Sequence, residues 1–439
     1  MTNIALVVLD TLRKDRFDDY FEWLPGLRFE NAYSTANWTV PAHASLFTGK
    51  YSTEVGLHAH SRTIEHPEET ISHSLSEVGY NTRGYSSNHH LSERDCWDEC
   101  FDEFQGPFDL WYPSAENIFN WNNFLSETDN TGIQRYIEGI LQCIKGDCNT
   151  VQSLKQGFYM QRGSLYKDSE VDDKGASVIL QKICNQEFSN NEFIFINLME
   201  AHTPYYPPKE YRAVDDDITV TVKHSLDLES PPEGVIDAYD SSVEYLSEKY
   251  KEMFYELREE FDYIITVSDH GEMLGENGVW NHTFGLYPEL THIPIVISGE
   301  ELSGTVTKPV SLIDVHKTIA SLADVSVESR GQDLLGEIKP KSYLTEYQGL
   351  IPFAVSKLEE GGVSTKTIEQ YQEPLRGVVL DNGAYGHEDI NGFVPSENNA
   401  KFQNAIDSIQ SSLEKRKVSG GQRELSEETK NHLEDLGYA

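Results

Sequence analysis

Apolar runs of strand length alternate with longer amphipathic segments along most of the chain, the pattern expected when parallel strands are joined by helices. Ile4–Leu9 is an unbroken apolar run and predicts the first buried strand. Further strands are predicted over 193–198, 263–267 and 293–297, and helices over 69–78 and 240–257. A short helix around Leu46 opens with Thr39, Val40 and Pro41. Proline suits a first helical turn, so Thr39 is placed at that helix's N-terminus. The expected fold class is α/β, with a large mixed, mostly parallel sheet flanked by helices and a smaller C-terminal α+β portion. Residues 1–335 form the expected main domain and 336–439 the smaller portion packing on it. The stretch 105–190 is rich in Asn, Asp, Tyr and Trp without clear periodicity, and reads as an insertion that covers the cleft. Beyond about residue 340 the pattern weakens, and a last helical segment is expected over 426–436.

Composition narrows the function classes. The chain has 439 residues, with 73 acidic against 35 basic side chains and a net charge of −38. Such a field repels nucleic acid and anionic membranes, so neither is an expected partner. The acids lie in short clusters such as Glu68, Glu69 and 215–217, a solvating coat like that of a protein from a salt-loving microbe. The five cysteines, Cys96, Cys100, Cys143, Cys148 and Cys184, are odd in number and lack paired spacings, which argues against a disulfide framework. The N-terminus has no basic region and too short an apolar run for a signal, and no stretch is long enough to span a bilayer. A cytoplasmic location is therefore expected.

Ligands of open α/β sheets bind beyond the carboxyl ends of the strands, where helix N-termini converge. Asp10, His202 and Asp269 each follow a predicted strand. Asp10, with Arg13 three residues on, fits either a turn cap or a ligand. Thr39 fits either an N-cap, whose hydroxyl satisfies a backbone donor, or a nucleophile. Those two roles compete for one oxygen. His202 and His282 fit either hydrogen-bonded structural histidines or groups that protonate a leaving oxygen, since imidazole titrates near neutral pH.

The segment Thr39-Val40-Pro41-Ala42-His43-Ala44-Ser45-Leu46-Phe47-Thr48-Gly49 resembles the sulfatase signature, in which Cys or Ser, Pro, Arg, Leu and Thr-Gly recur at these offsets. Ser268-Asp269-His270-Gly271-Glu272, followed by Trp280-Asn281-His282, resembles the second metal motif of the alkaline phosphatase superfamily. His202-Thr203-Pro204 resembles its anion-contacting His-x-Pro element. The likeness continues through Leu312 to Val315, similar to the family's final core helix.

The resemblance implies one divalent ion, Ca, Mg, Mn or Zn, held by Asp10, Thr39, Asp269 and His270. It implies Thr39 as nucleophile, His202 and His282 at the transferred group, and His43, Arg13 and Lys308 as substrate contacts. The expected substrate is an anionic small-molecule or glycan ester. Three departures stand out: Thr39 occupies the position that sulfatases oxidise to formylglycine, His43 replaces arginine, and Thr11 replaces a second aspartate. Formylglycine hydrate expels sulfate with its second hydroxyl, which threonine lacks, so the chemistry tilts toward phosphorus. A phosphoglycerol-type transferase acting on a glycopolymer and a non-catalytic metal-binding protein are the alternatives.

Overall fold

The computed structural model describes residues 2–416 apart from 93–94, 215–219, 227–232, 396–397 and much of 112–170. The expected segments 215–217 and 426–436 lie outside the described residues, as does much of the insertion.

An eight-stranded sheet runs in the order β5-β4-β6-β1-β7-β8-β2-β9. Its strands are β1 (Ile4–Leu9), β2 (Leu27–Phe29), β4 (Asn81–Ser86), β5 (Glu103–Gln105), β6 (Glu192–Leu198), β7 (Tyr263–Val267), β8 (Ile295–Gly299) and β9 (Gly304–Val306), while β3 (Ala32–Tyr33) and β10 (Val310–Ser311) form a separate parallel pair. β1 pairs in parallel with β6 and β7, and only β8 runs against its neighbours. The mixed, mostly parallel sheet is as expected.

Successive side chains of a strand point to opposite faces, and β1 shows this directly. Ala5, Val7 and Leu9 enter one core with Phe17, Tyr239, Leu246 and Phe254, while Ile4, Leu6 and Val8 enter another with Val40, Leu46, Phe47 and Ile319. Helices therefore cover both faces: Ala176–Asn185 and Val235–Glu260 on one side, Thr39–Thr48, Ile71–Glu77 and Leu312–Leu322 on the other. A strand buried on both faces reads as continuous apolar sequence, which explains the Ile4–Leu9 run.

Boundaries moved where local chemistry intervened. The expected helix over 69–78 divides into a short turn, Pro67–Glu69, and the helix Ile71–Glu77, because the Thr70 side chain accepts the His73 amide as an N-cap. The helix expected over 240–257 extends to Val235–Glu260.

A second sheet is antiparallel and is built from β11 (Tyr343–Tyr347), β12 (Leu375–Val379), β13 (Tyr385–Asp389) and β14 (Gly392–Val394). The helix Asn399–Ser411 packs Phe402 and Ile406 onto Leu344 and Val378, and the same cluster takes in Tyr51 and Ile313 of the main sheet's helical layer. This portion is α+β and packs on the core. Among the described residues, no helix is long and apolar enough to cross a membrane.

Candidate active site

Asp10 follows β1, and Asp269 and His270 follow the adjacent β7, so parallel pairing brings them together at one sheet end. One ligand atom from each of the three lies within 4.8 Å of the others. His270 Nε2 is 3.3 Å from Asp269 Oδ2 and 3.9 Å from Asp10 Oδ1. Among the described residues, neither of these two buried carboxylate oxygens has a hydrogen-bond partner.

Buried carboxylate oxygens left unbonded are costly unless a cation takes them. Two acidic oxygens and one imidazole nitrogen form a donor set that fits a hard or borderline divalent ion. The remaining oxygens are already committed. Asp10 Oδ2 accepts from Asn88 Nδ2 at 2.9 Å and Asn197 Nδ2 at 3.1 Å, while Asp269 Oδ1 accepts from the His270 amide at 2.9 Å.

Thr39 is the first residue of its helix. Trp38 occupies the N-cap and makes no side-chain capping bond, so the Thr39 hydroxyl is not consumed in capping. Thr39 Oγ1 lies 3.4 Å from His270 Nε2 and accepts from Asn88 Nδ2 at 3.2 Å. Every residue of the helix is buried, which fixes where its first hydroxyl points. Gly49 ends it at φ 66°, and a Cβ there would meet His316 Nδ1 at 2.5 Å. The loop behind His270 is equally close: a Cβ on Gly271 would stand 2.0 Å from the Glu289 carbonyl oxygen.

Thr11, where a second aspartate was expected by resemblance, sits at φ 57°, an uncommon region for a β-branched residue. Its amide donates to Asp269 Oδ1 at 3.3 Å, its hydroxyl to the Asp10 carbonyl at 2.7 Å, and its carbonyl accepts from Tyr239. The strained residue thus ties the two carboxylate-bearing loops together.

Burial and the Asp269 charge push Asp10 up to about 7, and burial pushes Asp269 up to about 7. Burial takes His270 down to about 4. His282 behaves differently. Burial pulls it down, but the charge and 3.1 Å hydrogen bond of Glu272 outweigh that and leave it above its ordinary value. Its ring centroid lies 4.7 Å from His270 and 5.0 Å from His202. His202 lies well below its ordinary value through burial, with His282 and Lys174 adding to the effect.

The structure therefore brings together Asp10, Thr39, Asp269, His270, His202 and His282. His43 is near but of a different character: its Nδ1 lies 3.0 Å from the Thr39 carbonyl and 3.6 Å from Asp269 Oδ2, and its ring packs against Phe47, Trp97 and Phe195. Burial drives it down to about 3, so it is neutral and does not carry the charge of the arginine it replaces.

Arg13 and Lys308 are engaged by other partners. Arg13 pairs with Asp15 and Glu276 and donates to the Glu272 carbonyl, bracing the loop after His270. Lys308 follows β9, four strands from β1, and donates to the Ile338 carbonyl. Asn88, Asn197 and Glu272 are site residues that sequence reasoning did not assign.

A mixed sheet with helices on both faces and an acidic-imidazole cluster beyond its carboxyl end define an α/β protein of alkaline phosphatase superfamily build. Residues 11–325 match the Sulfatase family, and the chain belongs to it. It is 24% identical over 351 residues to an uncharacterized sulfatase, YidJ, of Escherichia coli (strain K12), covering 73% of this chain and 66% of that one. It is 23% identical over 380 residues to a choline-sulfatase of Rhizobium meliloti (strain 1021), covering 74% of this chain and 68% of the relative. The chain thus spans about two thirds of the length of these relatives. A phosphonate monoester hydrolase from Silicibacter pomeroyi shares the fold with TM-score 0.61 at 14% identity, covering 94% of this chain and 95% of that one.

Proposed function

We propose that the protein is a metal-dependent hydrolase of sulfate or phosphate esters in which Thr39 is the nucleophile. One observation carries this reading: the Thr39 hydroxyl, not used in capping, lies 3.4 Å from His270 Nε2, which faces two buried carboxylate oxygens that have no hydrogen-bond partner among the described residues. Asp10, Asp269 and His270, with Thr39, would hold the cation. When bound, a divalent cation would acidify the threonine hydroxyl and offset charge on the transferred group.

The residues supply the rest. Thr39 Oγ bonds to the phosphorus or sulfur as the ester oxygen departs. Asn88 holds Thr39 Oγ1 and Asp10 Oδ2 through one amide, which sets the direction of attack. Glu272 stabilises the doubly protonated form of His282, the state able to give a proton to the departing alcohol. Water then cleaves the adduct on Thr39. Because threonine has one hydroxyl, release of the adduct is direct displacement, which favours phosphate, while the choline-sulfatase relative keeps sulfate in scope.

The test is a panel of aryl sulfate, aryl phosphate monoester and aryl phosphodiester, assayed with the metal content determined. Phosphoester turnover is the expected result. Sulfate release alone would overturn the preference for phosphorus, and turnover of none would overturn the hydrolase reading. An acceptor alcohol that outcompetes water would identify a transferase.

Asn88→Ala gives a further prediction. Removing one of two donors to Asp10 Oδ2 and the donor to Thr39 Oγ1 is expected to weaken metal affinity about tenfold, as loss of outer-shell partners commonly does. The measure is metal titration, with kcat falling more than KM changes. An unchanged affinity and kcat would remove Asn88 from the site.

A further inference from the structure

A buried ammonium is costly, and one lies beside the site. Lys174 is 5% exposed, and its Nζ donates to two main-chain carbonyls, that of His202 and, at 2.8 Å, that of Pro204. The buried acids Asp173 and Glu200 offset its charge and are themselves held. Asp173 accepts the Gly175 and Ser177 amides at 2.9 Å and the Tyr245 hydroxyl at 2.6 Å, and Glu200 accepts the Ala176 amide at 3.1 Å. The Thr203 carbonyl, between the two that Lys174 holds, accepts from His202 Nδ1 at 2.6 Å. A carbonyl only accepts, so Nδ1 carries the hydrogen, and the turn sets both the tautomer and the direction of the ring. That ring lies 5.0 Å from the ring of His282.

The reaction described above makes no use of this lysine, yet a neutral donor would satisfy a carbonyl at lower cost than a buried charge. Its place in the chain gives the reason. The Lys174 carbonyl accepts from Trp111 Nε1 at 3.1 Å, and the Trp111 ring lies 4.9 Å from that of His89, the neighbour of Asn88. The stretch between Trp111 and Lys174 is therefore closed at its base, one end resting beside Asn88 and the other gripping the turn of His202. The Tyr206 amide also reaches the Pro204 carbonyl, at 3.0 Å, so Lys174 is one of two donors there. A catalytic group displaced by about 1 Å can cost about 10²-fold in rate, which is the scale on which a loosened turn would act.

We propose that Lys174 is a positioning residue: by clamping the His202 and Pro204 carbonyls it sets the His202 ring against the group being transferred. This rests on the ester-hydrolase reading above, with His202 at that group. The test is a double-mutant cycle of Lys174→Met and His202→Ala on metal-replete protein, with kcat and KM read on the best aryl ester and thermal melting confirming the fold of each variant. Alone, Lys174→Met is expected to lower kcat about tenfold or more and to change KM less than about threefold. In the His202→Ala background the same substitution is expected to lower kcat less than about twofold, because a residue that acts through His202 has nothing left to place. An equal loss in both backgrounds would make Lys174 a structural residue only, and no loss in the wild-type background would remove it from the reaction; either result overturns the proposal. Should Lys174→Met fail to fold, Lys174→Gln, which keeps a donor for one carbonyl, carries the same cycle. If the wild-type protein cleaves no ester, the hydrolase reading falls, and the cycle is read instead in calorimetric affinity for inorganic phosphate: coupling between the two substitutions upholds the placement of His202 by Lys174, and additive losses or no binding overturn it.

Discussion

Thr39→Ala is expected to lower ester turnover by about 10³-fold or more while leaving the melting temperature nearly unchanged and a metal still held, more weakly, by Asp10, Asp269 and His270, because it removes the atom that forms the covalent adduct. The stability side follows from the contacts. Thr39 Oγ1 has two neighbours of hydrogen-bonding type, Asn88 Nδ2 and His270 Nε2, and losing such contacts costs on the order of 1 kcal/mol. Trp38, not Thr39, occupies the N-cap, so the helix keeps its terminus in the variant. Thr39→Ser retains the hydroxyl and is expected to stay within about tenfold of the wild type, the lost methyl group loosening the χ1 preference. Rates are read on the best aryl ester, with metal analysis and thermal melting on the same preparations. A capping residue would give the reverse pattern, a lowered melting temperature with intact turnover, and undiminished activity of Thr39→Ala would refute the mechanism.

The site was legible in the sequence where it borrowed apolar strands and obscure where it did not. Ile4–Leu9 and Tyr263–Val267 are apolar because both faces of the sheet are covered, and each points directly to the carboxylate that follows it. Asn88 follows β4, whose sequence Asn81–Ser86 is mostly polar and contains a glycine, so neither the strand nor the residue beyond it stood out. Gly84 is there for a physical reason: a Cβ would lie 2.6 Å from the Phe104 ring. Asn197 was concealed in another way, as one polar side chain inside the apolar run of β6. A buried asparagine in such a run is itself the missed signal, since it must be hydrogen-bonded, and its partner is Asp10. Arg13 and Lys308 show the converse. Spacing along the chain placed cations near the motifs, but partner choice is set in three dimensions, and Asp15 with Glu276 took the first and the Ile338 carbonyl the second.

Removing the metal is expected to make stability pH-dependent in a direction opposite to that of an ordinary salt-bridged carboxylate. In the metal-free protein Asp10 and Asp269 are each pushed up to about 7, chiefly by burial. A folded-state pKa above the unfolded value means that the folded form binds the extra proton, so this contribution is fully present below about pH 4 and is lost as pH rises through about 7. The slope is at most about 1.4 kcal/mol per pH unit for each group in that window. Cation binding needs the carboxylates ionised, so metal affinity should rise over the same window. Buried neutral His43, His202 and His270 act the other way below about pH 6.5, so the carboxylate contribution is read as a difference between chelated and loaded protein, and the rise in melting temperature on adding Mg, Ca, Mn or Zn should grow with pH. The net charge of −38 also disfavours the compact state, but it acts in chelated and loaded protein alike and cancels in their difference. Asp10→Asn removes one of the two titrating groups, and should both flatten the pH dependence of the chelated protein and abolish most of the metal response. A melting temperature indifferent to every divalent ion across the range would mean that the buried cluster does not hold a metal, and with it would fall the acidified hydroxyl on which Thr39 depends.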